Sequence, residues 1–352
     1  MPALLDMAWR GLIGAAIVAT IGPGLILLAD GFLKRSVRPS QVKRFYHCYF
    51  VWLLLALVVA FLLPGLLAPD LIERCLSEVG ATPALGRALA GLWVIVVAIL
   101  LTVDSIRVVL GIRAGVSLRP ALDVAALGAL EELRTLIVPR RAVGLALLAD
   151  EGGPYVQGIL RPRIALPASL LATDRRDELR GILAHELVHV RDHDVAWALV
   201  AQVLRRLFVF HPLVSRALGR YAVWVEKAAD EQAVSGGRVP APSLLKALLA
   251  AAVPGRAPRR PLQLAASTGF VELRERIESL AAPTLERRGR WSLRAFGVAS
   301  VFAALIASLA QAEVAAASLR RPSTLPASFL VPEEILASVL VADAPLDRCK
   351  QP

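Results

Sequence analysis

Long uncharged apolar runs alternate with basic clusters along the first third of the chain. Gly11 to Ala29 carries no charge and is long enough to cross a bilayer; Gly22-Pro23-Gly24 within it predicts a kink or a close helix contact. Lys34, Arg35, Arg38, Lys43 and Arg44 follow directly, and no small-residue cleavage site intervenes. The run therefore reads as a retained helix that stops on a basic cytoplasmic loop, residues 34–48. Tyr49 to Pro69 gives a second span with Tyr49, Phe50 and Trp52 at its interfacial end, and the mixed charges of Asp70 to Arg87 read as an external loop. Ala88 to Val103 is a third span, continuing as helix past Asp104 and Arg107 towards Arg113. A fourth, alanine-rich segment, Ala295 to Ala312, follows the cluster Arg287, Arg288, Arg290 and Arg294. The basic loops place the N-terminus outside, the region between the third and fourth spans inside, and a short tail, residues 314–352, outside.

Between Pro120 and Pro283 the pattern changes to short periodic segments. Leu122 to Val138 reads as an amphipathic helix. Val143 to Ala149 and Tyr155 to Leu166 read as two or three strands separated by the turn Asp150-Glu151-Gly152-Gly153-Pro154 and punctuated by Gly158 and Pro162. Leu179, Ile182, Leu183, Leu187 and Val190 then recur at helical spacing, with Thr173 or Asp174 as N-cap and Asp177 and Glu178 in the first turn. A helix from Asp194 to Phe208 follows, and another from Pro212 to Gly236-Gly237. Val253 to Pro261 is an exposed loop, and Phe270 to Leu280 a short helix leading back to the membrane.

Composition agrees with this division. Of 352 residues 56% are hydrophobic and 20% charged, with a mean hydropathy of +0.60, which suits a multi-pass membrane protein carrying one folded domain. The net charge of +11 suggests nucleic acid at first sight. The basic residues, however, flank apolar runs and form no aromatic-interleaved face, so no direct nucleic-acid contact is expected. Cys48, Cys75 and Cys349 are the only cysteines, too few for a disulfide scaffold or a cysteine metal site. The topology puts Cys75 and Cys349 outside, where a bridge between them is chemically allowed.

The periodic helix carries His185-Glu186-Leu187-Val188-His189. Histidines four residues apart lie one above the other on a helix, so both imidazoles reach one metal ion. Glu186, beside that ion, is placed to take the proton of an attacking water. Two histidines and a glutamate set in a buried stripe are costly unless paired, which favours one zinc ion over a chance match. His193 continues the four-residue spacing but is turned roughly 80° from His185 at about 100° per residue, and is disfavoured as a ligand.

A third ligand is expected on the helix from Pro212, where Glu226 and Asp230 are four apart among Ala228, Ala229 and Ala233. Glu226 is assigned to the metal and Asp230 to orienting a histidine ring from behind. His211, Tyr221 and Arg220 are candidates for stabilising the oxyanion, and Tyr155, Val156, Gln157, Gly158 and Ile159 for binding substrate backbone by strand addition.

At these residues the chain resembles the BlaR/MecR-type integral-membrane zinc metallopeptidases. The resemblance rests on Gly158 to Pro167, on His185 to His189 followed by Arg191 and Asp194, on His211-Pro212, and on Glu226-x-x-x-Asp230-x-x-Ala233. It implies an α-helical membrane protein of about four transmembrane helices with an inserted α+β, mostly helical, gluzincin-like (zincin) metalloprotease domain. Residues 1–119 would hold three spans, 120–283 the cytoplasmic peptidase, 284–313 a basic linker and the fourth span, and 314–352 the tail. It also implies a protein substrate, in the best-known members a transcriptional repressor cleaved during transmembrane signalling, in a bacterial inner membrane. Those sensors carry a penicillin-binding domain after the last span, where only the short tail is seen here. Ser243-Leu244-Leu245-Lys246 matches Ser-x-x-Lys but has no Ser-Asp-Asn or Lys-Thr-Gly partner. Two other readings stand beside this one: a membrane quality-control protease of the HtpX or CAAX-processing kind, and a non-catalytic, metal-bound signal transducer, against which the intact Glu186 argues.

Overall fold

The computed structural model describes residues 19–62 (except 21, 25, 32, 35 and 36), 83–116, 119–148 (except 122), 153–172, 175–235, 238–251 and 270–281. The expected fourth span, the tail, Cys75 and Cys349 lie outside the described residues, as does most of the expected first span. After a helical stretch within 19–34, helix α1 is Pro39–Leu62 and α2 is Pro83–Val116. The basic segment expected as a loop is therefore largely helix. Pro39 suits a first helical position, where no intrahelical donor is required, and Lys43, Arg44 and Cys48 lie on α1. The segment expected as a loop from Asp70 to Arg87 is helix at its far end, because α2 already begins at Pro83. Within α2, Ala84–Gly111 is long and apolar enough to cross a membrane and is only 17% buried; among the described residues it alone is so.

The region after α2 begins with β1 (Arg119–Pro120) and α3 (Val124–Ile137). Asp123 caps α3 by accepting from Ala126 N at 2.7 Å, and Ala126, Leu130, Leu133 and Ile137 form its buried stripe. Strands β2 (Gly144–Leu148), β3 (Tyr155–Gln157) and β4 (Arg163–Pro167) complete a sheet of order β1-β2-β4-β3. β2 and β4 are parallel, and β3 pairs antiparallel with β4 through Val156 and Ile164, leaving β3 at the edge. The strand expected to reach Ile159 stops at Gln157. Gly158 takes φ +87°, and a Cβ there would meet Arg161 O at 2.8 Å, so the chain turns instead of extending.

Four helices follow: α4 (Arg176–Arg191), α5 (Asp194–Leu207), α6 (Pro212–Val234) and α7 (Ala241–Ala251), with α8 (Phe270–Ala281) beyond. Asp177 and Glu178 occupy the first turn of α4 and His189 and Arg191 its last, matching the helix dipole at both ends. Thr173 and Asp174 lie outside the described residues; Arg175 holds the cap position without a side-chain bond. Gly181 lets α4 and α7 approach closely, since a Cβ would stand 3.2 Å from the Leu244 backbone. Ser243 is buried at the start of α7 while Lys246 is exposed.

Two hydrophobic cores result. One joins α3, the sheet, α4, α7 and the end of α6 through residues such as Leu133, Ile164, Leu183, Leu187, Ala229 and Leu244. The other joins α1 and the 19–34 stretch to α5 and the first half of α6, with Tyr46, Phe50, Leu204, Phe208, Tyr221 and Trp224 at its centre.

Candidate metal centre

Helix α4 presents His185 and His189 towards α6, and the three side chains of His185, His189 and Glu226 converge. One ligand atom from each lies within 4.8 Å of the others. The imidazole Nε2 atoms stand 3.1 Å apart with the rings nearly perpendicular at 86°. Glu226 Oε2 is 3.4 Å from His185 Nε2 and Oε1 is 3.9 Å from His189 Nε2. Both histidines are 6% exposed and Glu186 2% exposed, so the cluster is shielded but for its Glu226 edge.

Each histidine is backed by a carboxylate. His189 Nδ1 donates to Asp194 Oδ2 at 2.7 Å, and His185 Nδ1 lies 3.0 Å from Asp230 Oδ1. A proton on each Nδ1 leaves two Nε2 lone pairs facing one another beside a carboxylate. That is a repulsive arrangement in a buried site unless a cation lies between them, and the donor set of two imidazoles and one carboxylate suits zinc. Without a cation the same geometry invites a proton. Burial opposes charge on His185, but the Asp230 and Glu226 carboxylates outweigh it and raise its pKa to about 9.

Each of these carboxylates is in turn held by a cation. Arg276 on α8 meets Asp230 through Nε at 2.7 Å and Nη2 at 2.8 Å, and its Nη1 lies 3.3 Å from Glu226 Oε2. Burial works against the Asp230 charge, yet Arg276 and His185 keep its carboxyl below the usual range. Lys43 on α1 binds Asp194 at 2.7 and 2.8 Å and Asp192 at 2.8 Å. Burial likewise works against Asp192, and Lys43 and Arg191 hold it well below the ordinary carboxylate range.

His193 is not part of the cluster. It sits in the left-handed region, φ 59°, and its amide donates to Val190 O, making the tight corner that brings Asp194 under His189. The three oxyanion candidates are engaged elsewhere. His211 caps α6 by accepting from Val214 N and shares a hydrogen bond with Thr20. Tyr221 is 1% exposed with its hydroxyl against His47. Arg220 pairs with Asp30 and Glu275. Of the expected substrate segment, Tyr155, Val156 and Gln157 form the edge strand beside α4, and Gly158 and Ile159 form the turn after it.

Sequence reasoning missed Lys43, Arg276 and the role of Asp194. A signal existed for two of them. Lys43 is in register with buried Tyr46, Phe50 and Leu53, and Arg276 with Leu273 and Leu280, so each is a charge set in an apolar stripe.

The described residues thus combine a buried cluster of two histidines and one carboxylate that could hold a metal ion with one helix long and apolar enough to cross a membrane. Residues 76–280, more than half of the chain, match the model of the BlaR1 peptidase M56 family. The chain belongs to that family. Its curated relatives include the methicillin resistance mecR1 proteins of Staphylococcus aureus and Staphylococcus epidermidis, each 27% identical over 73 residues. Those residues are 21% of this chain, and the match spans only 12% of the length of either relative.

Proposed function

We propose that this chain is a membrane zinc endopeptidase that cleaves a cytoplasmic or membrane-proximal protein, in the manner of a repressor cut during transmembrane signalling. The observation that carries the reading is the convergence of His185, His189 and Glu226 within 4.8 Å, with Glu186 buried next to His185. Similarity to methicillin resistance proteins supports a place in signalling.

In this reading His185, His189 and Glu226 hold one zinc ion, which when bound supplies Lewis-acid polarisation of the scissile carbonyl. Glu186 takes the proton of the attacking water and delivers it to the leaving amide nitrogen, so no proton enters from bulk solvent during bond cleavage. Asp194 and Asp230 keep the two imidazoles in the tautomer whose Nε2 faces the ion. The outer edge of the sheet at β3, Tyr155 to Gln157, receives the substrate backbone as an added strand, orienting the peptide along α4. The peptidase region, 120–283, faces the cytoplasm of a bacterial inner membrane, with spans on either side of it and both chain ends outside.

The test compares cells expressing the full chain with cells expressing E186Q, by labelling new protein N-termini. Cytoplasmic or membrane-proximal cleavage products present only with the parent are expected. Identical N-termini in the two would remove the endopeptidase reading.

A further inference from the structure

The geometry points to Lys43 as a positioning residue of the metal centre, supplied by α1 from outside the family-matched region and acting through Asp194 on His189. The inference rests on the reading of His185, His189 and Glu226 as metal ligands.

Lys43 is 2% exposed although it carries an ammonium. Its Nζ reaches both Asp194 oxygens, at 2.7 and 2.8 Å, across 151 residues of sequence. The Oδ2 that it touches is the oxygen that accepts from His189 Nδ1 at 2.7 Å. Asp194 is itself 7% exposed, and a carboxylate so buried needs a partner. Lys43 is that partner at both oxygens. By holding the oxygen that accepts from His189 Nδ1, Lys43 keeps the ring turned with Nε2 directed at Glu226 and His185.

The other histidine shows the same arrangement with a different cation, Arg276 behind Asp230. Arg276 lies within residues 76–280 and Lys43 does not. The family-matched region therefore lacks one of the two cations that set its own centre, and the affinity for metal depends on α1 being docked. A purely structural role for Lys43, as an ion pair that anchors α1, would act equally through Asp192, which it meets at 2.8 Å and which touches neither histidine.

The experiment measures zinc affinity of the full chain in detergent micelles by competition with a chromophoric chelator, alongside thermal unfolding. K43M is expected to bind about 10- to 100-fold more weakly, K43R to recover most of that loss, and D192N to stay within about 3-fold of the parent. The double variant K43M/D194N should bind no more weakly than D194N, because both changes break one path. Where K43M does not fold, K43Q makes the same comparison, with a loss of about 3- to 10-fold expected. Parent-like affinity in the lysine variant, an equal loss in D192N, or additive losses in K43M/D194N would each overturn the relay. A parent that binds no zinc, or an E226A variant that binds as tightly as the parent, would overturn the metal reading as well.

Discussion

Arg276 on α8 and Asp230 on α6 form a forked pair, two hydrogen bonds of 2.7 and 2.8 Å between buried groups 46 residues apart in the chain. The same Asp230 carboxylate stands behind His185. Removing the guanidinium leaves a 1% exposed carboxylate with His185 beside it but without its forked partner. R276M is accordingly expected to lower stability by about 3–5 kcal/mol, read as a drop in the unfolding midpoint of the full chain. R276K keeps the charge but not the fork and should fall between.

Metal binding and chemistry separate at the residue level. E186Q should keep one zinc per chain while peptide hydrolysis drops by roughly two to four orders of magnitude. E226A should lose metal and activity together, since two imidazoles alone complete no catalytic zinc site. D230A should lose about 10- to 100-fold in affinity or activity. Metal analysis and a cleavage assay on the three purified proteins check this. Full zinc and activity in E226A would show that the third ligand lies elsewhere.

The helices of the site were legible because their stripes are local. Asp194 to Phe208, Pro212 onwards and Phe270 to Leu280 agree with the observed α5, α6 and α8 to within a residue or two where they are described. Glu226 and Asp230 share a face at i, i+4, and the structure puts both against His185. The cations were hidden for a different reason. Lys43 and Arg276 meet partners 151 and 46 residues away, and no periodicity encodes such a pairing. Arg220 misled in the opposite direction: it is close to Glu226 in sequence, but its guanidinium is spent on Asp30 and Glu275. The parallel pairing of β2 with β4, which skips β3 in sequence, was equally out of reach.

Acid should loosen the contact of α8 with α6 and the 19–34 stretch, which Glu275 makes through Arg220 and Lys34. Burial opposes the Glu275 charge, but hydrogen bonds from Arg220 and Lys34 outweigh it and hold its pKa at about 2, below the ordinary 4.5. A depressed carboxyl stabilises the fold above its unfolded pKa and loses that contribution as pH falls through the folded value. The stability difference between parent and E275Q should thus be full above about pH 5 and shrink steadily from pH 4.5 towards pH 2. Thermal unfolding of both across that range measures it; a difference independent of pH would assign the contact no charge.

Membrane orientation is tested by reporter fusions. A fusion after Arg119 is expected to report a cytoplasmic location and one after Pro322 a periplasmic location. Both on one side would mean that no span lies between Arg294 and the tail.

The core shared by α1, α5 and the first half of α6 sets the unit in which this protein can be rebuilt. A chimera that exchanged only α1 with that of a relative would cut through Tyr46, Phe50, Phe208, Tyr221 and Trp224, leaving mismatched halves of one packed interior. Transplants that carry α5 and α6 along with α1 and the 19–34 stretch keep that interior whole, so these elements together are the smallest interchangeable part. A displacement of α1 would accordingly reach α6, and with it Glu226, as the motion of one body.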